Sequence, residues 1–148
     1  MKKVLLLSVL VGTFVLFAAC RTAEPMRPQN PVEEALASIY DQFRPGLITA
    51  GARRHTVAAG ETLVSIANQH YDDGFFYPVI LLASNDVVLD PDRIAPGMVL
   101  TVPNLQANLN VPSARANIRD FLFEIAIVEE NRGRHSTAAG IRARANEL

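Results

Sequence analysis

Apolar residues in this chain fall into blocks whose spacing changes along the sequence, and each spacing predicts a different element. Val4 to Ala19 is an almost unbroken apolar run. From Val32 to Phe43, Leu36, Ile39, Tyr40 and Phe43 recur at helical spacing, with Glu33 and Glu34 in the first turn, where negative charge suits the helix dipole. Pro45-Gly46 ends that helix. His55-Thr56-Val57 is β-prone and runs into a turn at Ala59-Gly60. Thr62 can then cap a helix whose stripe is Leu63, Ile66, Ala67 and His70 or Tyr71. After Asp72-Asp73-Gly74 a second helix runs from Phe75 or Phe76 to Ser84, with Pro78 tolerated in its first turn. The stretch from Asp86 to Gly97 holds Pro91, Pro96 and Gly97 and reads as a loop. Val99-Leu100-Thr101-Val102 is a strand that Pro103 terminates.

The order strand, helix, helix, strand predicts a small antiparallel sheet on which both helices bury their stripes, an α+β module over residues 54–103. Asn104 to Asn110 is polar and reads as a linker. Ser113 can cap a long helix to about Asn131, with Ile118, Phe121, Leu122, Ile125 and Val128 on its apolar face. Gly133 marks a turn, and Ser136 or Thr137 starts a last helix carrying Ala138, Ile141, Ala145 and Leu148. So short a join predicts an antiparallel helical hairpin over residues 104–148. Its small-residue spacing is similar to one tetratricopeptide unit, while repeat folds normally need three or more. Such a hairpin either covers the module's apolar surface or, through Phe123 and Ile127, offers a face to a protein partner.

Composition then changes what the first block means. Lys2 and Lys3 precede the apolar run, and the small residues Ala18 and Ala19 stand before Cys20, the one cysteine of the chain. A basic start, a short apolar core and a small-residue break are marks of a secretory signal, and the run is short of the roughly 20 residues that span a bilayer. The stretch Leu16-Phe17-Ala18-Ala19-Cys20 resembles a bacterial lipoprotein signal, although Phe17 stands where leucine is usual. That resemblance implies that residues 1–19 are removed and that Cys20 is acylated. The same residues also fit an ordinary cleaved signal followed by an unrelated cysteine. Residues 20–53 then read as a lipidated, Pro-rich tether with one short helix, reaching on the order of 30 Å if flexible. Arg21 follows the cysteine without the aspartate that retains many lipoproteins in the inner membrane, which favours the outer one. Without Lys2 and Lys3, 12 of the 14 basic residues remain against 15 acidic ones, a formal charge of −3. No basic patch points to nucleic acid.

The stretch from His55 to Ala67 resembles the opening of a LysM domain, and Asp90-Pro91-Asp92-Arg93-Ile94-Ala95-Pro96-Gly97-Met98-Val99-Leu100-Thr101-Val102-Pro103 resembles its close. The resemblance implies a βααβ fold that binds glycans built on N-acetylglucosamine, including peptidoglycan, without catalysis. It places a shallow groove on Gly60, Glu61, Thr62 and Leu63 in the first loop and on Ser84, Asn85, Ile94, Pro96 and Gly97 before the last strand. Glu61, Val64, Tyr77, Ser84 and Met98 depart from the family's usual aspartate, aromatic, tryptophan, asparagine and glutamine. Backbone groups in two such loops can supply the directed hydrogen bonds a sugar needs, and Leu63 or Ile94 can meet an acetamide methyl. Each residue also has a structural reading: Gly60 as a turn, Thr62 as a helix cap, and Leu63, Ile94 and Tyr77 as core. One of Phe75 and Phe76 is expected to be exposed, a platform for a sugar ring.

Catalytic chemistry has little to draw on. His55, His70 and His135 lack metal-ligand spacing, Asp90-Pro91-Asp92 lacks the ligand density of a calcium loop, and Glu129-Glu130 is expected to face solvent. The sequence therefore predicts a non-enzymatic, cofactor-free, lipid-anchored envelope protein that binds peptidoglycan glycan strands. A protein-binding adaptor that works through residues 113–148, with the LysM fold as spacer, is the alternative. A LysM module for another ligand, an ion or a secreted glycan, is the third.

Overall fold

The computed structural model describes residues 27–148; the apolar run and Cys20 lie outside them. Helix α1 (Pro31–Phe43) starts at Asn30, whose side chain accepts the Glu33 amide at 2.9 Å, with Pro31 in the first position. Pro45 and Gly46 close it in a 3₁₀ turn. The helix buries Leu36, Tyr40 and Phe43, and the Tyr40 and Phe43 rings lie 6.1 and 5.7 Å from Phe121. The buried Tyr40 hydroxyl donates to the Leu89 carbonyl at 2.8 Å. This part of the expected tether is thus a core element: an amphipathic helix this short gains most of its stability from packing.

Strand β1 (Arg53–Thr56) begins two residues before the expected run and pairs antiparallel with β2 (Val99–Val102), His55 opposite Leu100. Between them lie α2 (Leu63–Tyr71) and α3 (Tyr77–Ala83). Thr62 caps α2 in a reciprocal box with Ser65, and Asp72 ends it in the left-handed conformation at φ 57°. Asp73 caps a 3₁₀ turn, Gly74–Phe76, that leads into α3. Every residue of α3 is buried, so this helix is the centre of the module.

The asparagine-rich stretch is a helix, α4 (Leu105–Leu109), rather than a linker. Asn104 caps it by accepting the Ala107 amide at 2.9 Å. Asn108 is fully buried, bonding both the amide and the carbonyl of Ile48 at 2.8 and 2.9 Å. Helix α5 (Pro112–Asn131) starts on Pro112 with Val111 at the cap position, so Ser113 is not the cap. Helix α6 (His135–Asn146) likewise starts before Ser136, behind an Arg134 whose side chain does not cap it. Gly133, at φ 76°, makes the turn between them.

One continuous core joins α1, the βααβ module and the hairpin, with Ile118, Phe121, Leu122, Ile125 and Ile141 fully buried beside Ile66, Ile80 and Leu100. The hairpin covers the module, and Phe123 and Val128 are only half-buried at its edge. Neither phenylalanine before α3 is exposed. Phe76 is core, and Phe75 is half-buried on Gly140, where a Cβ would meet its ring within 2.2 Å. The Arg144 guanidinium lies 6.0 Å from the Phe75 ring centre.

Candidate functional site

The loop from β1 to α2 is shaped by its own polar groups. Gly60 takes φ 84°, which permits the turn. The Glu61 carboxylate accepts the Ala58 amide at 2.7 Å and meets His55 Nε2 at 2.8 Å. His55 Nδ1 lies 3.2 Å from His70 Nε2. Both contacts are satisfied when each neutral histidine carries its proton on Nε2, so His70 donates to His55 and His55 to Glu61. The Ala58 amide and His55 hold Glu61 below the usual carboxylate range. Burial, with His55 and Arg53 nearby, lowers His70. The first loop is tied to the second: Val57 donates to Met98 and accepts from Gly97, each at 2.8 Å.

The second loop is gripped from two sides. Asp90 caps the 3₁₀ turn Pro91–Arg93 by accepting the Asp92 amide at 3.0 Å. From the N-terminal side, Arg93 pairs with the buried Glu33 of α1, which lowers the Glu33 carboxyl. From the C-terminal side, Arg132 Nη2 reaches Asp90 at 2.9 Å and Asp92 at 2.5 Å. Arg134 Nη1 reaches Asp92 at 2.6 Å, and Arg134 also makes a two-pronged pair with Glu129. Glu129 therefore does not face solvent: its side chain is 1% exposed, because these arginines let a carboxylate lie inside the fold. Burial, then the Glu129 charge, raises Tyr77.

Between the loops lies a cavity of about 380 Å³. Of the expected site residues, Glu61, Thr62, Leu63 and Ile94 line it. Thr62 does so while serving as the helix cap, and Leu63 is at once core and wall. Gly60, Pro96 and Gly97 are exposed but not on its wall, and Asn85 is half-buried near Arg44. Ser84 is a correction: fully buried, its hydroxyl accepts the Thr101 amide at 2.9 Å and donates to the Thr101 carbonyl. It braces α3 against β2 and presents nothing to a ligand. Sequence reasoning missed Val64, Tyr77, Pro91 and Asp92 as lining residues, and Glu129, Arg134 and Thr137 from the hairpin. The Asp90-Pro91-Asp92 acids and the Arg132/Arg134 pair were the visible signal, since buried opposite charges seek each other.

Two short antiparallel strands enclosing two helices, with a mixed polar and apolar groove between the flanking loops, define a small βααβ binding module. Residues 55–103 match the LysM domain family, and this stretch is a LysM domain. The chain is similar to the potassium binding protein Kbp of Escherichia coli O6:H1, with 34% identity over 68 residues. That match covers 46% of this chain and 46% of Kbp, so the chain spans about half the length of the curated relative it matches. No solved structure matches the chain.

Proposed function

We propose that this protein is a non-catalytic, lipid-anchored component of a bacterial cell envelope that binds peptidoglycan glycan strands through its LysM domain. The observation that carries the reading is the cavity between the two LysM loops. It joins an apolar floor of Leu63, Val64 and Ile94 to polar groups at Glu61 and Thr62. A pyranose with an acetamide needs that combination: one apolar face and several directed hydrogen bonds. Acyl chains on Cys20 would fix the other end in a membrane, by preference the outer one. One small module binds weakly, but many copies facing a polymeric wall gain from high effective concentration.

The adaptor reading has less support, because the hairpin's apolar face is taken up by the core, leaving Ile127 as its large exposed apolar side chain besides Val111 before α5. A second ligand class is suggested by the name of the potassium-binding relative. Isothermal titration of the chain from Arg21 onward separates these readings. Saturable binding of an N-acetylglucosamine tetramer, with no difference between potassium and sodium chloride in thermal stability, is the expected result. A folded protein that ignores the oligomer but is stabilised by potassium alone would overturn the glycan reading. Incorporation of radiolabelled palmitate, lost in Cys20→Ser, is expected for the anchor.

A further inference from the structure

We infer that the α5–α6 turn is a third wall of the glycan groove and that Thr137 contacts the bound sugar, an inference that rests on the glycan reading above. Residues 55–103 form the family's module, yet the cavity between its loops is also lined by Glu129, Arg134 and Thr137, all from the hairpin. The ligand site is therefore composite.

The three residues divide the work by what they already hold. Glu129 is sealed in the interior and paired with Arg134, and Arg134 spends its remaining reach on Asp92 at 2.6 Å. With Arg132 on Asp90 and Asp92, these charges fix the distance between the hairpin turn and the second LysM loop. They are positioning residues. Thr137, half-buried in the first turn of α6, takes part in none of the side-chain hydrogen bonds among the described residues. Thr137 shares the cavity lining with Leu63 and Ile94, and its hydroxyl can both donate and accept. A sugar seated on these apolar residues turns its rim of hydroxyls and its acetamide toward the walls, where Thr137 adds a hydroxyl that, unlike that of Thr62, is not engaged as a helix cap. The occupant is an uncharged N-acetylglucosamine unit of the glycan strand, for which the N-acetylglucosamine oligomer is the probe. The carboxylates of Glu61, Asp92 and Glu129 outnumber the Arg134 cation on this wall, so an anionic glycan is disfavoured.

The test uses the chain from Arg21 onward, which keeps every described element, and an N-acetylglucosamine tetramer as probe. Thr137→Ala removes the hydroxyl and, Ala being a strong helix former, leaves the fold intact. Affinity is expected to fall about 3- to 10-fold, the effect of one lost hydrogen bond. Thr137→Trp fills the cavity and is expected to abolish binding. Ser136→Ala, on the exposed side of α6, is expected to bind as the parent does. In a parallel nitrogen–proton NMR titration the Thr137 amide should shift together with those of Thr62 and Leu63. If the parent binds and both Thr137 variants, folded, bind equally well, the third wall is wrong while the LysM groove stands. If the folded parent does not bind the oligomer, both readings fall. Should Thr137→Trp not fold, Thr137→Ala and the NMR shifts decide.

Discussion

Glu129 shows at the residue scale how a helix surface position becomes interior. Its neighbour Glu130 pairs with Arg142 and is exposed, as helical periodicity allows for one of two adjacent acids. Helical spacing puts Glu129, four residues past Ile125, on the buried face, and Arg134, folding back past Gly133, supplies the charge partner that no local pattern encodes. Glu129→Ala removes the two-pronged partner of Arg134 but leaves it Asp92, and is expected to cost about 1–3 kcal/mol, measured by urea unfolding. A loss under about 1 kcal/mol would mean the pair is not buried in solution. His70 gives a second residue-scale expectation. Its folded value is lowered, so on acidification the unfolded chain takes up the proton first. Stability is full well above the ordinary histidine value of about 6.5 and falls as pH drops below it, levelling off below the folded value. Thermal unfolding between pH 7.5 and 5.5 should show this slope, and His70→Asn should flatten it. Glu61, also lowered, adds a separate loss at more acid pH, below the usual carboxylate value of 4.5. Thr62 was legible as a cap because capping is local chemistry; Ser84 was misread because its partner, Thr101, is distant in sequence.

Elements were legible wherever apolar spacing alone determines them. Helices α1 and α2 and strand β2 begin or end within a residue or so of the positions read from periodicity, capping and proline. Helix α4 was not, because Asn104 to Asn110 has linker composition and its purpose is tertiary. Asn108 bridges to Ile48, a contact that ties the segment before β1 to the segment after β2. Asn108→Ala leaves the half-buried Ile48 amide and carbonyl without that partner and is expected to destabilise by roughly 1–3 kcal/mol. Chemical denaturation checks it, and an unchanged midpoint would show that water replaces the side chain. The starts of α5 and α6 were misplaced for a similar reason. Ser113 and Ser136 are good caps by propensity, but packing of the hairpin sets where each helix begins.

At the scale of the whole molecule, the division into tether, module and hairpin describes composition better than it describes the core. Tyr40 and Phe43 from α1 meet Phe121 of α5, and Phe75 ahead of α3 rests on Gly140 of α6. Removing residues 104–148 therefore uncovers apolar surface on α1 and the LysM domain alike. The truncated chain is expected to lose its cooperative unfolding transition and to bind a hydrophobic dye; a sharp transition near that of the full chain would show an independent module. The same architecture clamps the second LysM loop between Glu33–Arg93 and the Arg132/Arg134 network, so groove shape belongs to the entire fold. Point variants at Thr137 and Asp92 are thus sounder probes of binding than domain deletion. The most direct test of the central claim is co-sedimentation of the soluble chain from Arg21 onward with purified peptidoglycan sacculi. The folded protein is expected in the pellet, displaced by N-acetylglucosamine oligomers; a folded protein that stays in the supernatant at every sacculus concentration would contradict the account.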